Sequence, residues 1–578
     1  MIPPLGEHGE SLEFHHHAMW PPYHGTAAYR QDEGRMTALQ GERRCTAGQT
    51  VSRAGRWAVI GAGMLTLLII EAVEAQPPLP TPCVAGNCGT HAPSFVTYGQ
   101  ASAVAAGSAM TVTQSSAQAI LNWADFNIAN GYNVNFQQPS ASAAVLNKIW
   151  SANPSVIAGA LRANGQVYLY NQNGIVFDKT AQIDVGSLIA STLALTPVNG
   201  DPDYLFKNGL LSQNPVTGSF NTLPSVFQAV DSTGAAYNPG TVSVNYGATL
   251  TSASGGRIML LGSAVSNAGT ISSPNGQTVL AAGNQIYLAA SSDAALRGFL
   301  IEVNASGLPA AAGGAGIVSN AGTISADTGN ITLAGLVVNQ AGLLSATTSV
   351  SQNGSIYLVA GDTSSKSSAP FYDNAASGFG GLLPNSGGAL TLAPGSVTQV
   401  LSSSSDHPGD TSTISEQNLS NGAFLPSQIE LVGQNVALRG NAAIHAPGAT
   451  INVRAAGDPN TQFVGGTTVS ADGGQIYLDT GSSIDVSGEV GVRVPVTRNI
   501  IGVTLEGSDL QDDTLLRNGF LHGQAVTVDA NVSSTLFNVA PYVGNIGIGI
   551  DEVLTAGGNI HLLSDGGVIT RAGSSLNV

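Results

Sequence analysis

Asn-Ala-Gly-Thr-Ile-Ser at residues 267–272 recurs unchanged at residues 320–325, and a looser copy, Asn-Gln-Ala-Gly-Leu-Leu-Ser, follows at 339–345. A second unit, Ile-Tyr-Leu, stands at 286–288, 356–358 and 476–478. Side chains alternate between the two faces of a strand, so each unit places its apolar residues on one face. A single strand cannot bury that face, but successive copies stacked in register bury it and pair their backbones. The repeats therefore predict an all-β chain folded as a parallel β-helix.

The composition agrees with many short strands joined by tight turns. The chain has 578 residues, 72 of them Gly, with 43% hydrophobic and 10% charged residues. This apolar content excludes a disordered chain. An array of β-sandwich domains would need periodicity at domain length and Pro/Gly linkers, and the sequence has neither. The formal net charge of −17 disfavours binding to nucleic acid or to an anionic membrane.

The first 75 residues are typical of a targeting segment. The apolar run 57–70 is short for a bilayer span but fits the core of a signal peptide, and arginines precede it. Small residues in Val73-Glu74-Ala75 favour cleavage between Ala75 and Gln76, and an uncleaved membrane anchor is the alternative. We interpret residues 1–75 as an N-terminal extension with signal peptide, and residues 76–94 as a linker containing Pro and Cys.

Two of the three cysteines fall in that linker, at Cys83 and Cys88. Three readings stay open: a small disulfide loop formed in an oxidising compartment, a free thiol pair, and a metal site with His91. A metal site would need more ligands than this stretch supplies.

Seven ordered segments between residues 95 and 210 carry a family resemblance: Asn122–Ile128, Val134–Ser140, Val145–Ile149, Ser155–Gly159, Leu161–Leu169, Asn171–Phe177 and Asp184–Thr192. In order and spacing they resemble the N-terminal secretion (haemagglutination activity) domain of filamentous-haemagglutinin-like exoproteins of two-partner secretion. The resemblance assigns a secretion motif to Asn122, Trp123, Phe126, Asn127, Gln138, Pro139, Asn164, Gly165, Asn171, Asn173, Gly174, Ser191 and Thr192. The family usually has Pro where this chain has Gln172, and we expect that difference to loosen one turn without changing the fold.

The resemblance implies a right-handed parallel β-helix whose N-terminal secretion domain, residues 95–210, caps the helix. It also implies export in two steps. The general export machinery moves the chain across the inner membrane, and periplasmic domains of a dedicated outer-membrane β-barrel transporter then recognise it while it is extended. We expect a secreted or cell-surface filamentous adhesin that binds an unknown host or bacterial surface ligand and no nucleic acid.

Residues 211–578 are expected to form β-helix repeats with loop excursions. Segments 497–505 and 509–524 resemble parts of very large relatives, and the last six residues stop partway through a repeat. We therefore expect this chain to be the leading portion of a longer filament.

A β-helix can also be a secreted polysaccharide-active enzyme, which would need clustered carboxylates. The best cluster in the sequence is Asp509, Asp512 and Asp513 with Arg517 and His522, and a solvated surface loop explains it most simply. We predict no catalytic residue, no cofactor and no metal site. Besides the enzyme, the alternatives to an adhesin are the stalk of a contact-dependent toxin and a haem-capture exoprotein.

Overall fold

The computed structural model describes residues 77–89, 91–212, 225–231, 234–290, 298–305, 316–363, 384, 386–406, 412–459, 473–506, 510, 517–532 and 538–578. The chain divides into two compact units, 1–73 and 74–578, and every described residue belongs to the second. The signal-peptide prediction, with Ala75 and Gln76, lies outside the described residues.

In the described part of the second unit, most of the regular secondary structure consists of short strands. Up to residue 304 these are β1 Thr81–Pro82, β2 Val96–Tyr98, β3 Ala101–Ala106, β4 Ala109–Gln114, β5 Gln118–Asp125, β6 Asn133–Gln137, β7 Ala144–Ile149, β8 Ser155–Ile157, β9 Ala160–Tyr170, β10 Ile175–Phe177, β11 Gln182–Ser191, β12 Ala194–Leu195, β13 Phe227–Gln228, β14 Val242–Val244, β15 Thr249–Ser252, β16 Arg257–Gly262, β17 Ala264–Asn267, β18 Thr270–Ser272, β19 Gln277–Ala282, β20 Gln285–Ala290 and β21 Phe299–Asn304.

Beyond residue 304 the strands are β22 Ile317–Asn320, β23 Thr323–Ser325, β24 Asn330–Gly335, β25 Val337–Gln340, β26 Leu343–Thr348, β27 Ser355–Asp362, β28 Ser386–Gly387, β29 Ala389–Leu392, β30 Val397–Ser402, β31 Thr413–Ser415, β32 Gln428–Gly433, β33 Asn435–Leu438, β34 Ala443–His445, β35 Thr450–Ala455, β36 Gln475–Leu478, β37 Ser483–Asp485, β38 Ile500–Thr504, β39 Ala525–Asp529, β40 Gly547–Gly549, β41 Asn559–Ser564, β42 Gly567–Thr570 and β43 Ser575–Asn577. Short helices lie at Tyr204–Asn208, Ser403–Asp406, Glu416–Ser420 and Ile550–Val553, with 3₁₀ turns at Val496–Asn499 and Ala540–Asn545.

Most of the strands stack in three parallel columns, which form the three sides of a coil. One column is the ten-stranded sheet from β8 to β42, and the other two run through the 25-stranded sheet. A typical coil takes one strand from each column in turn, as β25, β26 and β27 do after β22, β23 and β24. Val318 pairs with Val338, so this coil takes 20 residues. The prediction of a parallel β-helix is confirmed.

The core is a set of apolar ladders inside the coil. Equivalent inward positions repeat from coil to coil, as in Val265, Val318, Val338, Leu390 and Val436, each no more than 1% exposed. Each rung covers the apolar face of the one before it, which a lone strand could not do.

The repeated hexapeptide occupies one corner of successive coils. Asn267 pairs with Asn320 and Ile271 with Ile324, so the two copies lie in direct register. In the looser copy the structure aligns Gln340, not Asn339, with Asn320. Asn339 lies one position away on the strand, and alternation therefore directs it to the opposite face.

The glycine of this hexapeptide permits the corners to stack closely. A Cβ at Gly322 would fall inside contact distance of the Gly269 backbone, and one at Gly342 would meet Gly322 in the same way. The obstacle in each case is backbone, which cannot rotate away as a long side chain would. The corner therefore needs glycine for space in the stacked form.

An antiparallel cap covers the first coil. β1 and β2 pair antiparallel with β5, and β3 pairs antiparallel with β4 before β4 begins the parallel stack on β6. These strands occupy the edge that would otherwise present unpaired backbone groups to other chains.

A second apolar core lies outside the coil. Outward residues of β16 and β19, including Met259 and Val279, are buried beneath a four-stranded antiparallel sheet of β12, β13, β20 and β21. We name the described parts of residues 193–231 the lateral flap. Ile286-Tyr287-Leu288 belongs to β20 in this outer sheet, so its prediction as a coil rung is wrong. The pattern of alternation is the same in both settings, and only the pairing partner differs.

Candidate functional site

The motif residue Asn122 ties the cap to the first coil. Its side chain is buried, and Nδ2 donates to Thr97 Oγ1 at 3.1 Å and to the Ser94 carbonyl at 3.3 Å. Its Oδ1 accepts a hydrogen bond from Trp150 Nε1 at 3.1 Å. Asn122 therefore connects the entry segment to the next coil through one amide.

Trp123 and Phe126 fill the interior at this end. Both are completely buried, and their rings meet edge to face with centroids 5.2 Å apart. Phe95 of the cap makes a similar contact with Trp123 at 4.8 Å. Trp123 Nε1 donates to Asn147 Oδ1 at 2.9 Å, which satisfies the indole in an otherwise apolar site.

Asn127 holds a neighbouring corner of the coil. Its Oδ1 accepts a hydrogen bond from the Val156 amide at 2.9 Å, and its Nδ2 lies 3.4 Å from Asp125 Oδ1. Burial raises the pKa of Asp125, although hydrogen bonds from Thr81 and Asn127 favour its charged form.

Gln138, Asn164 and Gly165 form a reciprocal network between coils. The Asn164 side chain accepts from the Gln138 amide and donates to the Gln138 carbonyl, both at 2.8 Å. The Gly165 amide donates in turn to Gln138 Oε1 at 3.0 Å. Pro139 follows Gln138 on the exposed side of the bend.

Asn171, Asn173 and Gly174 build the next turn. Asn171 is fully buried, and its Oδ1 accepts from the Asn173 amide at 3.0 Å while Nδ2 donates to Ser155 Oγ at 3.0 Å. Gly174 has φ of +127°, which side-chain-bearing residues rarely adopt. Gln172 is exposed, and its carbonyl accepts from the Gly240 amide, so the turn forms without the family's usual proline.

Ser191 and Thr192 lie where the chain leaves the coil for the lateral flap. Ser191 Oγ donates to the Leu193 carbonyl at 2.7 Å, and Thr192 Oγ1 donates to the Gly240 carbonyl at 2.9 Å. Tyr237 Oη donates to the Thr192 carbonyl and accepts from the Ala194 amide, each at 2.9 Å. The two motif residues thus hold the point of departure of the flap.

The motif is therefore mainly internal in the folded chain. Most of its polar side chains direct hydrogen bonds at neighbouring coils, whereas Pro139 and Asn164 are exposed and Asn173 is half-buried. A partner protein that contacts only the folded surface cannot reach the buried amides.

The cysteine pair lies beside this end of the helix. Cys83 and Cys88 form a disulfide with Cα atoms 5.7 Å apart, and both are buried. The Cys83 amide donates to the Asn122 carbonyl at 3.0 Å, which connects the loop to the motif. Trp150 packs against the same cluster.

A cleft opens between the coil and the lateral flap. It has a volume of about 200 Å³, and outward residues of β7, β9 and β11 form one wall while flap residues form the other. Its lining includes Trp150, Tyr168, Tyr170, Phe227 and Asp231. Burial raises the pKa of Tyr168 to about 12, so this phenol stays neutral at ordinary pH.

Sequence reasoning missed this cleft. The available signal was the pair of tyrosines at alternate positions of β9, Tyr168 and Tyr170, on the face opposite the core residues Val167 and Leu169. An outward aromatic pair in a chain with only 6% aromatic residues indicates a covered or ligand-facing surface.

The carboxylate cluster considered for catalysis is only partly visible. Asp509, Asp512 and Asp513 lie outside the described residues, whereas Arg517 and His522 are described and exposed. In the described part of the chain, no group of three or more His, Cys, Asp or Glu side chains is arranged to hold a metal ion. No described helix is both long enough and apolar enough to cross a bilayer.

Comparison with known proteins places this geometry in a family context. Residues 91–371 match the family model described as the TPS secretion domain, where TPS denotes two-partner secretion. A stretch of 106 residues is 36% identical to the haem/haemopexin-binding protein of Haemophilus influenzae strain Rd, covering 18% of this chain and 12% of that protein. A second haem/haemopexin-binding protein of Haemophilus influenzae is 39% identical over 90 residues, covering 16% of this chain and 10% of that protein. The matches thus span about a tenth of the length of these relatives.

Among solved structures, the HMW1 secretion domain from Haemophilus influenzae aligns with 24% sequence identity and a TM-score of 0.44, over 68% of this chain and 83% of that one. Neither of the two curated relatives is named as an enzyme. The family match extends from the cap through the motif and past the lateral flap. Residues 91–371 of this chain therefore carry a TPS secretion domain, the domain that two-partner secretion exoproteins share, and such a domain implies a cognate outer-membrane transporter.

Proposed function

We propose that this chain is a filamentous adhesin without enzymatic activity, exported through the outer membrane by a dedicated β-barrel partner and displayed outside the cell. The observation that carries the export route is the burial of the motif amides of Asn122, Asn127, Gln138 and Asn171, because groups buried between neighbouring coils are accessible only before the coils form. The partner's periplasmic domains would therefore recognise the extended chain, and the β-helix would fold outside.

The fold suits this order of events. Extended segments that later become strands can pair with another protein's sheet edge through their backbone groups, with side chains at alternate positions adding specificity. Each coil formed outside the cell buries its apolar face on the previous coil, so folding opposes return of the chain. The Cys83–Cys88 loop is small, with a sequence separation of 5, and it adds little width to a threaded chain.

Pro139 offers the sharpest test of recognition, because it belongs to the motif but is exposed in the fold. Pro139→Ala should leave the stability of the secreted protein nearly unchanged, as surface substitutions usually do. We expect it to reduce the amount of chain in the medium when the cognate transporter is produced. Normal export of this variant would argue against a role for Pro139 in recognition.

Substitution of two buried asparagines, one inside the motif and one outside it, distinguishes an effect on recognition from an effect on folding. Asn171→Ala alters the motif, whereas Asn452→Ala alters a buried amide in β35, outside the family match. Binding of each urea-unfolded chain to the purified periplasmic domains of the transporter would be measured after dilution. We expect Asn171→Ala to lose binding to these domains and Asn452→Ala to keep it. Equal binding by both variants would contradict recognition of Asn171, and export unchanged by deletion of the transporter would refute the route.

The adhesive role is tested separately. Cells that produce the chain and its transporter should adhere to host cells or to one another more than cells lacking the exoprotein gene. Adhesion that is the same in both strains would contradict the proposal without affecting the export route.

A second candidate function is capture of a haem-carrying protein. The names of the two Haemophilus influenzae relatives favour it, since both are called haem/haemopexin-binding proteins. Retention of haemopexin by the immobilised chain would support this candidate. Its absence, together with adhesion dependent on the chain, would favour the adhesin.

A further inference from the structure

The cleft beside the lateral flap has the features of a built binding site. It is bounded on one side by the outward faces of β7, β9 and β11, which are fixed by parallel pairing to their neighbours. On the other side, Tyr237 ties the flap to the coil through the Thr192 carbonyl and the Ala194 amide. Both walls are thus held in place before any ligand arrives.

An aromatic platform forms part of the lining of this cleft. The rings of His91 and Trp150 stack with centroids 4.8 Å apart and planes 9° from parallel. Trp150 is held by its hydrogen bond to Asn122 and by packing against the disulfide cluster, whereas His91 is exposed. The cleft is therefore lined in part by a flat and partly apolar surface that is held through Trp150.

The polar groups of the cleft are arranged for a neutral ligand. Lys148 Nζ lies 2.6 Å from Asp203 Oδ1, so the cation in the wall is already neutralised by its partner. Asp231 also lines the cleft, and its carboxylate disfavours an anion there. Gln172 is exposed at the lining, and its amide can both donate and accept hydrogen bonds.

The volume limits the size of the ligand. At about 200 Å³ the cleft is smaller than the 300–1,000 Å³ that drug-sized molecules and cofactors usually occupy. A pyranose ring combines a small volume with an apolar face for stacking and hydroxyl groups for donors and acceptors. We propose that the cleft binds one neutral pyranose unit, such as a sugar residue of a surface glycan. The biological use of this sugar binding rests on the proposed adhesive role. Binding of the sugar in solution does not depend on that role.

The test is saturation-transfer NMR with the full purified chain and three probes: methyl α-D-mannopyranoside, methyl β-D-galactopyranoside and N-acetyl-D-glucosamine. Transfer to the ring protons of at least one probe is expected. Gln172→Ala removes a hydrogen-bonding group, and loss of about 1 kcal/mol would weaken binding about fivefold. His91→Ala, at an exposed position, should also weaken binding without unfolding the chain.

Tyr246→Ala is the matched control, since Tyr246 is an aromatic residue 85% exposed that does not line the cleft. Its binding should equal that of the unmodified chain. No transfer to any of the three probes, or equal transfer in the His91 and Gln172 variants, would overturn the proposal. Displacement of the sugars by indole at lower concentration would overturn the ligand class. None of these outcomes bears on export, which is measured by the amount of chain in the medium.

Discussion

Asn320 offers a direct measure of how much a buried amide ladder contributes to this helix. The side chain is fully buried at the corner between β22 and β23. It accepts from Asn267 Nδ2 and donates to Gln340 Oε1, both at 2.8 Å, and so connects three successive coils. Asn320→Ala removes both bonds, and a longer one from Nδ2 to the Gly322 carbonyl at 3.3 Å, while leaving the backbone ladder in place. The Gly322 carbonyl keeps the Leu343 amide as a donor.

The expected cost follows from the two partners left behind. Asn267 and Gln340 are each no more than 1% exposed, so water cannot readily replace the missing bonds. A buried polar group that loses its partner costs about 1–3 kcal/mol, and two such groups give roughly 2–6 kcal/mol. A value of about 3 kcal/mol corresponds to a change of roughly a hundredfold in the local opening equilibrium.

Hydrogen exchange measured by mass spectrometry suits this prediction, because a solenoid opens locally and a single unfolding midpoint would average over many coils. Peptides covering β22 to β26 should exchange roughly a hundredfold faster in Asn320→Ala under conditions where exchange reports the opening equilibrium. Ser319→Ala is the control, since Ser319 lies on the opposite face of β22 and is only half-buried. Acceleration below threefold in Asn320→Ala, or equal acceleration in both variants, would refute the reasoning.

Three further changes test other parts of the structure. Gly322→Ala places a Cβ against the Gly269 backbone and should cost about 1–3 kcal/mol, read as a lower urea midpoint for the surrounding coils. Glu430 is fully buried and its pKa is raised well above the usual value, chiefly by desolvation. The stability that the neutral Glu430 carboxyl contributes is fully present at a pH below the pKa of this group in the unfolded chain. It is lost as the pH rises toward the pKa of the group in the folded chain, at about 1.4 kcal/mol per pKa unit. Glu430→Gln should therefore raise the melting temperature at pH 8 and much less at pH 4, and equal effects at both would contradict this. Replacing Cys83 and Cys88 by Ser should lower the stability of the cap by about 2 kcal/mol, seen as faster proteolysis near residues 77–98 with later coils unaffected.

The fold could be predicted because the sequence contains repeats that correspond to successive coils. The hexapeptide copies at 267 and 320 occupy identical corners, and their asparagines contact one another. Two details could not be predicted from the pattern. The alignment of Gln340 instead of Asn339 with Asn320 depends on the number of residues in a single coil, and sequence similarity does not fix that number to within one residue. Ile286–Leu288 alternates like a coil strand, but its partner Ile301–Val303 lies in an antiparallel excursion.

The motif residues could be located from the sequence, but their surroundings could not. Asparagine beside glycine indicates a turn, and the structure adds that the Asn171 amide faces Ser155 inside the helix. The cleft was beyond reach, because it depends on a flap that returns across β9 and β11 after leaving the coil at Ser191. The outward pair Tyr168 and Tyr170 marks one wall of the cleft in the sequence, but no local pattern indicates which segment closes over it.

The chemistry of the ladder explains why one set of residues can serve both folding and export. An amide can donate along the helix axis to one coil and accept from another, which Ser or Asp cannot do with the same reach and neutrality. The Gln138–Asn164 pair uses this property in both directions at 2.8 Å. In the extended chain the same side chains would be free to meet a partner, so folding would withdraw the recognition groups as it proceeds. On the proposed route, a chain that has folded outside no longer presents the motif amides that are buried between its coils, and this gives export a direction.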